Sequence, residues 1–287
     1  MKDSTAINIC AITMVRNDDF FLRKWIEYYA RQLGRENLYI LVDGKDQEIP
    51  DFTQGCNVKV FDHINENVRA GDKRRAGILS ALASQLSSKY DFIIGTDVDE
   101  FLIVDPALKI GLKEFLYKEG KSHSCISGLG IDVGMIESEE ESLNPNTPIL
   151  TQRKYGLIYS RYTKPSVIRG NLRWGSGFHR VKGKNYHIAK DLYLFHCGGC
   201  DISLILAKQS RSELKENGWD RHLTKRLLTI RRIESAVKKG NLYDWTNAVC
   251  LSRISQTLLR PIFAWNKPTM FGITPVIQIP KRFKEII

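Results

Sequence analysis

Apolar and polar positions follow two different periods along the first hundred residues. Apolar residues spaced by three and four predict one helix between Asp18 and Gly34 and a second helix that begins at Asp72. Short and largely apolar runs between these helices are typical of strands buried in a parallel sheet, at residues 7–15, 38–42, 58–61 and 92–95. The alternation predicts an α/β fold with a Rossmann-like, mostly parallel sheet flanked by helices.

The pattern changes after residue 105. A helix near 108–119 is followed by shorter strand candidates, and residues 203–256 are largely helical and basic. The last thirty residues contain four prolines among aromatic side chains. We therefore predict an α/β domain over residues 1–202 and a basic helical extension with a Pro- and aromatic-rich tail over residues 203–287.

Polar clusters follow three of the predicted strands. They are Arg16-Asn17, Asp43-Gly44 and the segment Asp97–Glu100. In open α/β sheets, ligands bind in the crevice outside the carboxyl ends of the strands. We expect these three clusters to converge on one crevice.

Charge divides the chain of 287 residues unevenly. The net charge is +11, and it is the sum of −7 over residues 1–150 and +18 over residues 151–287. The basic part is expected to attract phosphates, anionic polysaccharide, nucleic acid or an acidic membrane face. The sequence contains no run of 18 apolar residues, so it does not predict a membrane-spanning helix. Six cysteines in a chain of this length favour reduced thiols and a cytoplasmic protein, soluble or peripheral on the inner membrane face.

The segment Asp97-Val98-Asp99 directly follows a predicted strand, so both carboxylates are expected on one side of the exit loop. Two hard oxygen ligands at this spacing suit Mg²⁺ or Mn²⁺, which keep open positions for substrate phosphates. Such a cation would offset the charge of a departing diphosphate. Solvated turn carboxylates are the alternative interpretation of the same spacing.

Four segments together resemble the glycosyltransferases of GT-A fold, and within them the branch similar to glycosyltransferase family 2. The segments are residues 12–18, Phe21–Tyr29, Leu41-Val42-Asp43 and Asp97–Phe101. The resemblance implies an inverting enzyme that transfers a sugar from a nucleotide donor, with UDP as the usual carrier. Tyr29 departs from the family pattern, which has His there, and we expect it to have a structural role.

The resemblance assigns roles to the predicted crevice. Arg16 and Asn17 would line the base and ribose of the donor, and Asp43 would accept hydrogen bonds from the nucleotide. Asp97 and Asp99 would bind the metal ion. Glu100 would support them or hold the loop.

Further cations are candidates for the diphosphate. Lys73 and Arg74 stand at the predicted start of the second helix, where positive charge favours phosphate. Lys164 and Arg169 match a pattern of basic residues in related sequences. His179 lies on a Gly-rich aromatic stretch and would contact the acceptor sugar or the diphosphate.

Metal coordination and proton removal need further residues. His196 is similar in placement to the late histidine that completes the metal shell in GT-A enzymes, although a hydrogen-bonded core histidine is an equal alternative. An inverting transfer also needs a base near the acceptor hydroxyl. Asp132, flanked by glycines, is the first choice for this base and Glu137 the second.

Other functional classes explain less of the sequence. A phosphatase of the HAD type expects Thr or Val where Phe101 stands. No P-loop motif occurs, and Cys197-Gly-Gly-Cys200 lacks the second pair that structural zinc needs. A nucleic-acid-binding protein would explain the basic half with its interleaved Trp174, Tyr155, Tyr159 and Tyr162, but it leaves the acidic clusters unexplained. We therefore expect no nucleic acid, and a saccharide or lipid-linked acceptor of surface polysaccharide synthesis, presented at an anionic membrane face.

Overall fold

The computed structural model describes residues 7–210, 220–265 and 267–287. A large mixed sheet forms its centre. Four of its strands come from the first hundred residues: β1 (Ile9–Val15), β2 (Leu38–Asp43), β3 (Asn57–Phe61) and β4 (Phe92–Gly95). Six strands follow: β5 (Glu100–Val104), β6 (Cys125–Val133), β7 (Tyr155–Ile158), β8 (Val167–Ile168), β9 (His187–His196) and β10 (Val276–Gln278).

The N-terminal half of the sheet is parallel, in the order β3-β2-β1-β4. Side chains of β1 alternate between two cores: Ile9 and Ala11 pack with the first helix, whereas Cys10 and Ile12 pack with the second. A sheet covered on both faces needs apolar residues on both, which explains the continuous apolar runs. The predicted α/β class with a helix-flanked, Rossmann-like sheet is confirmed.

The remaining strands add antiparallel pairs and one further parallel pair. β8 pairs antiparallel with β4 and β6, and β9 lies between β5, to which it is antiparallel, and β6, to which it is parallel. β10 pairs antiparallel with β7, which itself pairs with β6. The C-terminal segment therefore contributes a strand to the main sheet.

Helix α1 (Asp19–Leu33) begins at the N-cap Asp18 and ends at the C-cap Gly34, as predicted. Helix α2 (Val68–Leu86) begins earlier than predicted, because the side chain of Asn67 accepts the backbone N–H of Ala70 and caps it. The cap predicted at Asp72 is therefore wrong. The other helices are α3 (Leu112–Glu119), α4 (Ile149–Gln152), α5 (Ile202–Gln209), α6 (Asp220–Lys238) and α7 (Trp245–Phe263).

Aromatic side chains of α1 fix the strands that lead into and out of the Asp97–Asp99 loop. The indole N–H of Trp25 donates to Thr96 Oγ1 at 2.9 Å. The hydroxyl of Tyr28 donates to the carbonyl of Leu102, and the hydroxyl of Tyr29 accepts the N–H of Leu102 at 3.0 Å. Tyr29 is fully buried. These contacts agree with the structural role that we expected for it.

Among the described residues, every helix is too short or too polar to cross a membrane.

Candidate active site

A crevice of about 470 Å³ opens at the carboxyl ends of β1, β2 and β4. Residues from all three predicted clusters line it, including Arg16, Asp43 and the segment Asp97–Glu100. The later strands contribute Asp132 and His196, and α6 covers one side. The convergence predicted from the strand ends is therefore present in the structure.

Strand register brings three of the candidate residues into contact. His196 of β9 lies opposite Asp132 of β6 and opposite Glu100 of β5. His196 Nδ1 donates to Asp132 Oδ1 at 2.6 Å, and His196 Nε2 lies 3.7 Å from Asp99 Oδ2. Because one ring nitrogen is held by Asp132, the other faces Asp99 and the crevice.

The second oxygen of Asp132 is also occupied, since it accepts the hydroxyl of Thr229 at 2.7 Å. A general base needs an oxygen that can reach the acceptor hydroxyl. Both Asp132 oxygens accept hydrogen bonds from its own chain, and its exposed fraction is 2%. This geometry argues against the predicted role of Asp132 as base and favours orientation of the His196 ring. Glu137, the second choice, is exposed and lies outside the crevice lining.

Asp99 has a cationic partner that the sequence did not suggest. Arg226 of α6 donates to Asp99 Oδ2 at 3.1 Å. The close approach requires glycine at position 198, where a Cβ atom would lie 2.3 Å from Asp99 Oδ2 and 2.7 Å from Arg226 Cζ. The Cys197-Gly-Gly-Cys200 segment thus makes room for α6.

Asp97 faces a different cation. Lys164 Nζ lies 2.9 Å from Asp97 Oδ2 and 2.5 Å from Glu100 Oε1. The Lys164 side chain is 3% exposed and that of Asp97 is 49% exposed. Lys164 therefore lines the crevice and links the carboxylates of Asp97 and Glu100 across the loop.

The charges of this cluster shift several pKa values. Burial raises the pKa of Asp99, but the charges of His196, Arg226 and other cations outweigh burial, so that its pKa lies below the usual range. Burial raises the pKa of Glu100 to about 7, although Lys164 opposes the shift. Asp99 is thus held as an anion, which a cationic ligand requires.

The side of the crevice next to β2 and α2 differs from the sequence prediction in its cations. The carboxylate of Asp43 contacts the backbone N–H of Ile64 at 2.8 Å, His63 Nδ1 at 3.1 Å and Arg75 at 3.4 Å. Asp43 therefore holds the loop before α2 and positions Arg75, which lines the crevice.

Lys73 and Arg74 are exposed and outside the lining, because α2 begins at Val68 and these residues fall in its second turn. Their predicted phosphate contact at a helix start is not supported, and Arg75 points into the crevice instead. Asp72 also lines the crevice. Burial raises the pKa of Asp72, Arg75 lowers it and Asp97 raises it further.

Arg16 and Asn17 are neighbours in the sequence, but only the first of them lines the crevice. Arg16 lines the crevice, donates to the carbonyl of Asp43, and forms two hydrogen bonds with Asp46 at 2.9 Å each. Asn17 adopts a positive φ of 49°, and its backbone N–H donates to Gln47. The side chain of Asn17 is not part of the lining.

His179 and Arg169, the two remaining candidates, differ in their position relative to the crevice. His179 lines the crevice, and burial together with the charges of Lys164 and Arg161 lowers its pKa well below the usual value. Arg169 is exposed and donates to the carbonyl of Gly120. Because β8 runs antiparallel to β4, Arg169 lies at the amino end of β4, away from the crevice. A diphosphate contact by Arg169 is therefore excluded.

A second cluster of ligand-type side chains lies at the opposite end of β6 and β9. His187 Nε2 is 3.1 Å from Glu119 Oε2, and the rings of His123 and His187 stack at 3.8 Å with an angle of 11°. Among the described residues, Glu119, His123 and His187 form the one group of three His, Cys, Asp or Glu side chains whose ligand atoms lie close enough to share an ion. Imidazole lone pairs lie in the ring plane, so two stacked rings cannot both ligate one ion until one ring turns.

Two aromatic residues of the nucleic-acid alternative, Trp174 and Tyr162, are not available for stacking on bases. Trp174 is 1% exposed and donates to the carbonyl of Pro165. Tyr162 stacks on the ring of His196 at 3.8 Å. Base stacking requires open aromatic faces.

No family model and no curated protein matches the chain. A mannose-1-phosphate geranyltransferase from Thermus thermophilus is 12% identical, with a TM-score of 0.29, over 85% of this chain and 68% of its own. A mannosyltransferase from Pyrobaculum calidifontis, in complex with GDP-Man and Mn²⁺, is 10% identical, with a TM-score of 0.35, over 89% of this chain and 83% of its own. Both are transferases, but because both TM-scores are low, the functional argument rests on the geometry of the crevice.

Proposed function

We propose that the chain is a glycosyltransferase that takes a sugar from a nucleotide donor, with UDP as the carrier, and uses a divalent cation. The observation that carries this proposal is the contact chain Asp99–His196–Asp132 beside Lys164, Arg75 and Arg226 in one crevice. An anionic oxygen and an imidazole nitrogen face a space that these three cationic side chains and several further carboxylates also line. This arrangement suits a metal-bound diphosphate.

The donor atoms fit Mn²⁺ or Mg²⁺ in part. Asp99 Oδ2 and His196 Nε2 are 3.7 Å apart, and neighbouring ligands of an octahedral ion stand about 3 Å apart, given metal–oxygen bonds of roughly 2.1 Å. A small rotation of either side chain closes this difference. Imidazole favours Mn²⁺ over Mg²⁺. When bound, the cation would offset the charge of the leaving diphosphate.

The residues of the chain would then share three tasks. Asp99 and His196 hold the cation, and Asp132 with Thr229 fixes the orientation of His196. Lys164, Arg75 and Arg226 offer fixed positive charge to the diphosphate, which stabilises charge that develops on it during transfer. Arg16 and Asp43 close the nucleotide end of the crevice.

The acceptor that we propose is a saccharide or a lipid-linked saccharide in surface polysaccharide synthesis, at the cytoplasmic side of a membrane. The resemblance to the family 2-like branch supports inversion at the anomeric carbon. The basic C-terminal part supports an anionic acceptor or surface, because its net charge is +18.

A panel of UDP- and GDP-sugars tests the proposal. Hydrolysis or transfer is measured with Mn²⁺ and with a chelator, for the wild type, Asp99→Ala and Glu137→Ala. We expect turnover of one donor that the chelator and Asp99→Ala abolish. Glu137→Ala serves as the matched control, since Glu137 is an exposed carboxylate outside the crevice. Turnover that survives in Asp99→Ala, or no turnover with any donor, contradicts the proposal.

A further inference from the structure

Helix α7 exposes large apolar side chains to solvent, which is unusual for a surface helix of an isolated globular domain. Its buried positions include Gln256 and Arg260, with 4% and 3% exposure. Its exposed side carries six large apolar residues, here called the apolar face: Leu251, Ile254, Leu258, Leu259, Ile262 and Phe263, which are between 41% and 73% exposed. A surface helix normally turns its apolar stripe to the core.

Three further exposed apolar residues lie in the segment that follows the helix. Trp265 is 43% exposed, Ile273 is 79% exposed and Phe271 is completely exposed. Single exposed apolar residues are ordinary, but a contiguous group of this kind marks an interaction surface. Leu251, Ile254, Leu258 and Ile262 are spaced by three and four along the helix and therefore share one side.

Charge indicates which partner covers this surface. Between Trp245 and Ile287 the sequence has six Lys or Arg residues and a single acidic residue, Glu285. Two exposed lysines, Lys238 and Lys239, stand at the end of the preceding helix and directly after it. A second copy of the chain, packed face to face, would bring like charges together. An anionic lipid surface offers both the opposite charge and an apolar interior.

The composition of the face also suits a lipid interface. A basic amphipathic helix with Leu, Ile, Phe and Trp on its apolar side lies in the plane of the membrane and buries that side at the boundary of headgroups and acyl chains. Helix α7 contains no acidic residue. It does not cross the membrane in this arrangement.

A short connection joins the face to the crevice. Arg260 donates to the carbonyl of Ser160, and the backbone N–H of Met270 donates to Ser160 Oγ at 3.0 Å. The next two residues, Arg161 and Tyr162, line the crevice. The buried side of α7 therefore packs on the chain segment that leads directly into the crevice lining.

We propose that the apolar face of α7, with Trp265, Phe271 and Ile273, docks the protein onto an anionic lipid bilayer. The docking needs no turnover, so its failure and the failure of the transferase proposal are distinguishable.

Flotation of the full chain with vesicles tests the docking. Phosphatidylcholine vesicles are compared with vesicles that contain phosphatidylglycerol, at low salt, for the wild type and for Leu258→Ser combined with Ile262→Ser. We expect the wild type to float with the anionic vesicles only, and the double variant to partition at least about tenfold more weakly, since each buried apolar side chain contributes a large part of the affinity. The matched control is Ile49→Ser combined with Leu108→Ser, which removes equally apolar residues with 47% and 40% exposure elsewhere.

Thermal unfolding checks the fold of both double variants, and we expect unchanged midpoints because the replaced side chains are exposed. The proposal is overturned by a wild type that does not float, by equal binding to neutral vesicles, or by a double variant that floats like the wild type. Concentration-dependent dimerisation that the double variant abolishes, without vesicle binding, would overturn it in favour of a second copy.

Discussion

Strand β5 has an aspartate next to each end, and each aspartate is paired with an arginine from the C-terminal part of the chain. Asp99 precedes the strand and contacts Arg226 at 3.1 Å. Asp105 follows the strand and accepts two hydrogen bonds from Arg282, at 2.7 and 2.8 Å. The two ion pairs join the same strand to the same region of the chain, yet their surroundings differ.

Asp105 is closed off by its own partners. Besides Arg282, it accepts the backbone N–H of Ala107 and contacts the hydroxyl of Tyr193. Asp99 has Arg226 on one side and His196 at 3.7 Å, and its remaining surface faces the crevice. A carboxylate that is surrounded by fixed donors stabilises the fold, whereas one that keeps a face to a cavity can also bind a ligand.

The largest effect is expected when the same substitution is made at both ends of β5. Asp99→Asn keeps the shape of the side chain but removes the charge that would hold a cation, so we expect activity to fall by about 10³-fold. Asp105→Asn should leave kcat/KM within about twofold, because Asp105 does not line the crevice. Steady-state kinetics on the preferred donor measures both. Equal losses would show that the two ends of β5 do not differ in function.

Asp132→Asn should have the next largest effect. The amide can donate where the carboxylate accepts, which turns the His196 ring or changes its tautomer, and loss of such a supporting contact lowers metal affinity or activity by about 10- to 100-fold. The measurement is activity as a function of Mn²⁺ concentration. Thr229→Val removes only the second hydrogen bond of Asp132 and should shift the curve less. An unchanged Mn²⁺ dependence in Asp132→Asn would contradict the orienting role.

The sequence predicted the residues that the strand ends contribute to the crevice, but it did not predict the second wall, which helix α6 forms. The candidates at the carboxyl ends of strands or just after them, where parallel strands meet at one edge of the sheet, are Asp97, Asp99, Asp132 and His196. Arg226 lies on helix α6. The apolar spacing of this helix predicts that one face is buried, but it does not predict which residues that face contacts. The visible signal was Gly198, which we interpreted with the flanking cysteines and which in fact makes room for Arg226.

The start of a helix and the direction of a strand explain why other predicted site residues lie outside the crevice. The interpretation of Lys73 and Arg74 depended on an N-cap at Asp72, and the observed N-cap is Asn67, five residues earlier. Since a helix turns by 100° per residue, the cation that faces the crevice became Arg75. The predicted diphosphate contact of Arg169 was wrong for a topological reason, because the sequence does not show that β8 runs antiparallel to β4.

Arg226→Met tests the second wall directly. We expect a loss in kcat/KM of roughly tenfold, the size expected for one hydrogen bond to a charged group. Arg231→Met is the matched control, since Arg231 lies on the same helix, is exposed and does not line the crevice. The same donor assay compares the two variants. Identical behaviour of both would show that α6 adds general positive charge and no specific contact.

The smallest effect is expected at the outer end of β5, and it concerns stability. Burial raises the pKa of Asp105, but the hydrogen bonds from Arg282 and from the Ala107 N–H outweigh burial and lower it. A lowered pKa in the folded state means that the pair stabilises the protein above the pKa of the unfolded chain, about 3.9, and that this contribution is lost as the pH falls through the folded value.

Arg282→Met should accordingly lower the free energy of unfolding by roughly 1 kcal/mol at pH 7, a modest figure because Arg282 is 37% exposed and solvent screens the pair. Urea unfolding of the wild type and the variant, at several pH values, measures the difference. We expect it to stay constant from pH 7 to about pH 5 and to shrink only below about pH 4, as the pH falls toward the lowered pKa of Asp105. Activity at pH 7 should be unchanged, since the outer pair has no part in the crevice. A difference that grows as the pH falls would have the wrong sign for this pair, and a loss of activity would extend the active site to both ends of β5.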